Sequence, residues 1–271
     1  MYTAMIFYKY INKIFCIVFV LCYVYCNSTY AFGNPTHEQL TEIACHKTKM
    51  LEQFSDDKQK EMLLRLLASC NIPDAEETDR LMYGHFYDFN DECSDLSKDS
   101  ALFRMHSHFQ NATRLWRSGH QPESIDSLGK SIHYMQDMCC MAHTWGRFYN
   151  FFNLDKHRTY ENAMDVVAVS YAYNILISPE LFNFRDGIGT PIIGVANSYV
   201  LKVIRRYQNN PPSPSFWSFF DTAIDVRKSI IGADKLREEA KQVVPFEDFE
   251  LAYQATCELI YLFFQAVGIN L

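Results

Sequence analysis

The sequence predicts an all-α protein built as one multi-helix domain. Three observations predict it. Apolar residues recur at helical spacing through most of the chain after residue 32, no stretch of useful length alternates apolar and polar side chains as a strand would, and neither an internal repeat nor a glycine-rich phosphate loop is present. With 48% hydrophobic residues, the 271-residue chain can bury a substantial core, and only 10 Gly and 9 Pro exclude the fibrous and low-complexity classes.

The first element is set apart from the fold. Lys9 and Lys13 precede an apolar run from Ile14 to Cys26, 13 residues, too short to span a bilayer comfortably and of the length of a signal-peptide core. Thr29-Tyr30-Ala31 offers small residues for cleavage after Ala31, so residues 1–31 are expected to be a signal peptide and 32–271 the mature domain, beginning at Phe32. Cleavage near Cys26 is the rival, and a retained anchor the third possibility. Such a leader carries two lysines and no acid, so its loss takes the 25 basic residues to 23 against 32 acidic, and the formal charge from −7 to −9. A broad basic surface that tracks phosphates is therefore not expected. Six cysteines follow the leader: Cys45, Cys70, Cys93, Cys139, Cys140 and Cys257. An exported chain with an even count permits disulfides, and buried free thiols fit the same residues equally well.

The helices then follow in order. Thr36 can cap a helix reaching to Phe54, with Leu40, Ile43, Ala44, Met50 and Leu51 on its apolar face. Lys58 to Ser69 is a second amphipathic stretch. Cys70 to Ser100 reads as a long irregular segment, acidic at Glu76, Glu77 and Asp79 and containing Pro73; loops of that length inside a compact domain usually carry function. Ala101 to Arg117 is helical and stopped by Ser118-Gly119. Ser124 to Met141 follows behind Pro122, then an aromatic loop with Phe148, Tyr149, Phe151 and Phe152. Lys156 to Ile177, Ser198 to Tyr207, Pro214 to Ile231 and Phe246 to Val267 complete the set, with a break at Asn209 to Pro214.

The chemistry is concentrated in His133-Tyr-Met-Gln-Asp137-Met-Cys-Cys-Met-Ala-His143. His133 and Asp137 stand four apart and share one helix face, a spacing that lets both meet one ion. His143 lies just past the expected helix end and can enter the same cleft from another backbone direction. His157-Arg-Thr-Tyr-Glu161 repeats the four-residue step. Imidazole with carboxylate is the ligand set of hydrolytic zinc sites. One such pair is more often an ordinary surface pair; two pairs flanking a third histidine within 29 residues are much rarer by accident. Cys139 and Cys140 are unusual so close to such a site and could serve as thiolates. His46, His106, His108 and His120 have the look of ordinary solvated or packed imidazoles.

His133-Tyr-x-x-Asp137, His143 and His157-x-x-x-Glu161 together resemble the signature of the bacterial zinc-dependent phospholipases C, whose fold is shared by the single-strand-specific zinc nucleases. Pro73-Asp74, His85-Phe86-Tyr87, Leu128-Gly129 and His37 match the family's outer motifs, and the likeness runs through the first half of the mature chain. The resemblance implies a trinuclear zinc cleft. One ion would be held by Asp74, His85, His133 and Asp137; a second by His143, His157 and Glu161; a third by His37, a shared Asp137, and the amine and carbonyl of Phe32. Asp74 would also accept the proton of the attacking water. Two positions depart from the family pattern: Phe32 stands where Trp is usual, and Met141 where Pro usually precedes the second histidine. Glu161, the 14-residue step from His143 to His157, and Pro73-Asp74 fit the phospholipase branch; the short step from Phe32 to His37 fits the nucleases. The expected protein is thus a secreted or periplasmic monomer hydrolysing phospholipid, at a membrane surface or as monomers, with no protein partner implied. Single-stranded nucleic acid is the alternative substrate, and a non-catalytic zinc-binding helical protein the remaining reading.

Overall fold

Capping chemistry and burial set the helix boundaries. A computed structural model describes residues 34–76, 84–87, 96, 99–144, 154–177, 192–209, 219, 223–244, 246–269 and 271. The expected leader, Phe32, Cys93 and the aromatic run 148–152 lie outside these residues. The described residues form ten α-helices and one 3-10 turn, with no strand among them. In chain order they are α1 (Asn34–Lys47), the 3-10 turn Met50–Gln53, α2 (Asp56–Glu76), α3 (Ala101–Arg117), α4 (Gln121–Asp137), α5 (Met141–Thr144), α6 (Leu154–Ile177), α7 (Ile192–Asn209), α8 (Ile224–Ile231), α9 (Ala233–Val243) and α10 (Phe246–Ala266).

Helix α4 is the axis of the fold. Every residue from Ser131 to Asp137 is buried, so this segment is covered on all sides. It packs most extensively on α3 and α2, and its other faces meet α10 and α1. The approach to α2 depends on Gly129. A Cβ there would lie 2.6 Å from the Ser69 Cβ and 2.8 Å from the Leu66 carbonyl oxygen, closer than packed atoms allow. Helix α3 starts on a proper cap, the Ser100 side chain accepting from the Phe103 amide at 3.2 Å. It ends where Gly119 adopts φ 83°.

Four expected boundaries are corrected. The first helix does not reach Phe54: the Thr48 hydroxyl donates back to the Ala44 carbonyl at 2.8 Å, Lys49 turns left-handed at φ 55°, and the chain tightens into the 3-10 turn. The second helix continues past Ser69 to Glu76 with Pro73 inside it, so the irregular segment begins later than its composition suggests. Proline denies an N–H to the Ser69 carbonyl; the next carbonyl, that of Cys70, accepts from His133 Nδ1 at 2.7 Å and ties this turn of the helix to α4. The fourth helix stops at Asp137, where Cys139 and Cys140 donate to the Gln136 and Asp137 carbonyls, both at 2.9 Å, in a tight turn that leads into α5. The helix expected at Ser198 begins earlier, at Ile192, and α9 was not anticipated, its composition being mostly polar with only Leu236 and Ala240 buried.

Three polar fastenings hold the helices in place. Asp248, fully buried in the first turn of α10, accepts from Tyr160 of α6 at 2.8 Å, from Tyr207 of α7, and from Arg206 Nη1 at 3.0 Å. Asp165 of α6 accepts from the Thr36 amide at 3.2 Å and the Thr36 hydroxyl at 2.6 Å, fixing the start of α1. Arg104 of α3 forks onto Asp99 at 2.7 and 3.0 Å and donates to the Tyr134 hydroxyl at 3.0 Å. Its guanidinium lies over Gly84, where a Cβ would sit only 2.1 Å from Cζ. The five described cysteines are all buried free thiols, so no disulfide joins any of them.

Replacing Gly129 by Ala sets two effects against each other. Helix propensity favours Ala by about 1 kcal/mol, whereas forcing a methyl into a filled contact costs about 1–3 kcal/mol. Because the atoms in the way are a backbone oxygen and a Cβ rather than a flexible tip, the clash is expected to win. Thermal unfolding should show a lower Tm for Gly129→Ala; an unchanged or higher Tm would mean that α2 and α4 can separate freely.

Candidate metal centre

Five helices and one short connection deliver the predicted side chains to a common interior. His37 comes from α1, Asp74 from the end of α2, His133 and Asp137 from α4, His143 from α5 and Glu161 from α6, while His85 stands in the connection 84–87. All seven are buried. His157 lies on α6, four residues before Glu161, and its side chain is outside the described set, as is Phe32.

Four of these groups converge on one point. His133 Nε2 is 3.1 Å from His85 Nδ1, 3.3 Å from Asp137 Oδ2 and 3.4 Å from Asp74 Oδ1. His85 Nδ1 is in turn 2.8 Å from Asp137 Oδ2 and 3.8 Å from Asp74 Oδ1. Zinc–ligand bonds of about 2.0–2.1 Å in tetrahedral geometry separate the donor atoms by roughly 3.3–3.4 Å. The five distances straddle that spacing. His37, stacked on His133 with ring centroids 4.2 Å apart, brings Nε2 to 3.6 Å from Asp137 Oδ1. His37 also forms a second possible metal-holding group with Asp74 and His133. His143 Nε2 lies 3.4 Å from Glu161 Oε1.

The unshared nitrogens are fixed by the backbone. His133 Nδ1 meets the Cys70 carbonyl at 2.7 Å, and His143 Nδ1 meets the His85 carbonyl at 2.7 Å. A carbonyl can only accept, so each Nδ1 carries the proton and donates, and each Nε2 is turned to the interior; zinc-binding histidines are oriented by bonds of this kind. The connection 84–87 is pinned at both ends of the same contact: the Tyr87 amide donates to the His143 carbonyl at 2.9 Å, and the Ala101 amide to the Phe86 carbonyl at 3.1 Å. The break after Asp137 is what lets His143 enter from a separate helix, α5, rather than from the face of α4.

The electrostatics of the bare cluster are those of a site short of a cation. Both oxygens of Asp74, His85 Nε2 and Asp137 Oδ1 have no hydrogen-bond partner. Each such buried atom costs about 1–3 kcal/mol, and four together approach the whole stability of a domain, about 5–15 kcal/mol. A zinc ion at the point of convergence would take up Asp74 Oδ1, and one beside His37 would take up Asp137 Oδ1; structural zinc sites bind with about 10–16 kcal/mol of apparent free energy. The donor set therefore fits zinc. Burial, against the pull of His133, raises the Asp74 carboxyl well above the usual carboxylate range. Burial works the same way on Asp137, but the His133 charge and hydrogen bonds from His133 and His85 outweigh it and hold that carboxyl well below. For His133, burial lowers the imidazole but Asp137 and Asp74 prevail and carry it up to about 9. His37 is driven down to about 3 by burial and by its His133 neighbour, and is neutral. Burial also keeps Cys139 and Cys140 protonated, their thiols pushed up, and neither belongs to the clusters able to hold a metal.

Three participants were not singled out from sequence. Gln136 touches His37, Asp165 holds the start of α1, and Asp248 braces the helix that carries Glu161. Asp165 had a visible signal: it continues the four-residue step from His157 through Glu161 on one face of α6.

The fold and the cluster define a class, an all-helical protein whose buried imidazoles and carboxylates form groups that could hold metal ions. The chain belongs to the zinc dependent phospholipase C family, whose profile matches residues 36–229, more than half of its length. Among solved structures it is similar to the alpha-toxin of Clostridium perfringens from an avian strain, at 15% identity and a TM-score of 0.50, covering 84% of this chain and 65% of that one. The alpha toxin of Clostridium absonum aligns at 16% identity and a TM-score of 0.48, covering 84% and 66%. The chain thus spans just under two thirds of the length of either toxin. At such identity the first likeness shows the shared helical fold. No curated protein sequence matches the chain. Among the described residues, no helix is long and apolar enough to cross a membrane.

Metal binding at His133 must be coupled to a proton. Below about pH 9 the bare imidazole is charged, and only its neutral form offers Nε2 as a ligand. Zinc uptake near neutral pH should release at least one proton, so affinity should rise with pH up to about 9 and fall in acid. Titration calorimetry in two buffers of different ionisation enthalpy measures the release; identical heats in both would contradict the pairing of His133 with Asp137 and Asp74.

Proposed function

We propose that the protein is an exported zinc-dependent phospholipase C, cleaving the glycerol-side phosphodiester bond of phosphatidylcholine-like lipids to diacylglycerol and a phosphorylated headgroup. The observation that carries the reading is the cluster about His133 Nε2, where three further donor atoms stand 3.1–3.4 Å away at tetrahedral spacing. Membership of the family supplies the reaction class.

Asp74, His85, His133 and Asp137 would hold one ion, His143, His157 and Glu161 a second, and His37 with Asp137 and the free amine and carbonyl of Phe32 a third. Zinc, when bound, supplies Lewis acidity toward phosphoryl oxygens and makes a water acidic enough to attack near neutral pH. The chain's own contribution is orientation and proton transfer. The Cys70 and His85 carbonyls keep His133 and His143 in one tautomer, which leaves each Nε2 lone pair preorganised to hold a metal ion. Asp74 takes the proton of the attacking water as it approaches in line with the leaving alkoxide. Its oxygens make no hydrogen bond to the protein, which leaves one of them open to that water, as a general base requires.

Phospholipid is favoured over single-stranded nucleic acid by Glu161 as the last ligand, by the 14-residue step from His143 to His157 and by Pro73-Asp74; the acidic balance, 32 Asp and Glu against 25 Lys and Arg, gives no support for a broad phosphate-tracking surface. Pure protein incubated with phosphatidylcholine vesicles and with single-stranded DNA is expected to release phosphocholine and leave the DNA intact. Asp137→Ala should abolish that release with helical circular dichroism retained. Cleavage of DNA alone transfers the protein to the nuclease reading, and zinc binding without turnover of either leaves a binding protein.

The amine of Phe32 becomes a ligand only if the leader is removed. Amino-terminal sequencing of the secreted protein, with a zinc count on the same sample, is expected to give Phe32 and three ions. A different first residue with three ions still bound would remove the amine from the proposed site.

A further inference from the structure

Gln136 is a buried amide beside Asp137 on α4, reaching between α1 and α10. Its Nε2 donates to the Thr41 hydroxyl oxygen at 3.1 Å and to the Thr256 hydroxyl oxygen at 3.0 Å. Its Oε1 lies 2.5 Å from His37 Nδ1. All four side chains are buried.

The direction of these bonds follows from one hydrogen. The Thr256 hydroxyl donates to the Ala252 carbonyl at 2.8 Å, one turn back on α10, so its hydrogen is spent and its oxygen can only accept. The amide of Gln136 must then present its NH2 to Thr256 and its oxygen to His37, because the flipped amide would set two oxygens together with no hydrogen between them. An amide oxygen only accepts, so Nδ1 of His37 is the protonated nitrogen. The lone pair of the ring is left on Nε2, the atom 3.6 Å from Asp137 Oδ1 at the edge of the cluster.

We infer that Gln136 is a positioning residue that fixes the tautomer of His37 and so presents Nε2 as a metal ligand. His133 and His143 have backbone carbonyls for this purpose; His37 has a side chain, itself locked by a threonine two helices away. The inference rests on the reading of His37 as a zinc ligand, and its test separates the two.

The experiment uses the purified full chain, stripped of metal and labelled with 15N in its histidine rings, with His37 assigned by its absence from His37→Gln. Long-range proton–nitrogen correlation is expected to show His37 protonated on Nδ1. In Gln136→Met the ring should shift toward protonation on Nε2, and zinc titrated against a chromophoric chelator should bind one site more weakly by roughly 10–100-fold, the usual effect of losing an outer partner. Gln136→Glu combined with Thr256→Val, which removes the oxygen that the new carboxylate would otherwise face, keeps an acceptor opposite Nδ1 and should retain the tautomer and most of the affinity. A wild-type His37 protonated on Nε2 overturns the inference, and this spectrum decides it even if Gln136→Met does not fold. Unchanged tautomer and zinc affinity in Gln136→Met also overturn it. If His37→Gln loses one zinc while Gln136→Met binds normally, only the role of Gln136 fails. If His37→Gln binds as wild type, the ligand reading of His37 fails with it.

Discussion

A carboxylate buried without water must be met by positive charge or by donors, and Asp137 imposes that condition on the protein around it. Its side chain is fully buried, and its neighbours come from α1, from the connection 84–87 and from its own helix. His85 of the connection and His133 of the same helix both face it, and neither can move off without stranding charge in the interior. Breaking one partner from such a cluster costs far more than the cluster contributes when whole. The seating of the connection 84–87 on α4 is therefore fixed as much by electrostatics at one point as by the apolar contacts around it.

The remaining polar groups answer that constraint at a distance. Asp165 anchors the residue just before His37, and Asp248 ties α6, which bears Glu161, to α7 and α10. Both carboxyls are raised by burial, Asp165 to about 6. Asp165 is held by the amide and hydroxyl of Thr36, and Asp248 by two tyrosine hydroxyls and the Arg206 guanidinium. Rigid helices fastened by satisfied polar contacts place donor atoms more accurately than loops can.

Much of this was legible in the sequence, for reasons that differ by element. The four-residue step from His133 to Asp137 could be read because a helix repeats every 3.6 residues, and a local rule suffices. That His143 enters from another direction followed from its position past the helix end, although the helix stops four residues before the expected Met141. The end of α2 was misjudged because Pro73 argues for a break, and the contact that holds this turn against α4, between the Cys70 carbonyl and His133, joins residues 63 apart. Helix α9 was missed because its buried side chains are few. Gln136 was passed over although it lies inside the most informative motif. Its meaning comes from Thr256, 120 residues away, and no spacing rule reaches that far. Local periodicity told which residues share a face; long-range pairing decided what that face does.

The guanidinium laid across Gly84 bears on how this chain can vary over evolutionary time. Position 84 adjoins His85, and the space a methyl would fill is taken by Arg104, which is itself clamped to Asp99 and Tyr134. A side chain at 84 would have to displace that guanidinium, and displacing it strips Asp99 and Tyr134 of their donor. The dependence runs one way: the glycine is required by the arginine, and the arginine by its two partners, so a single added methyl would be felt two contacts away.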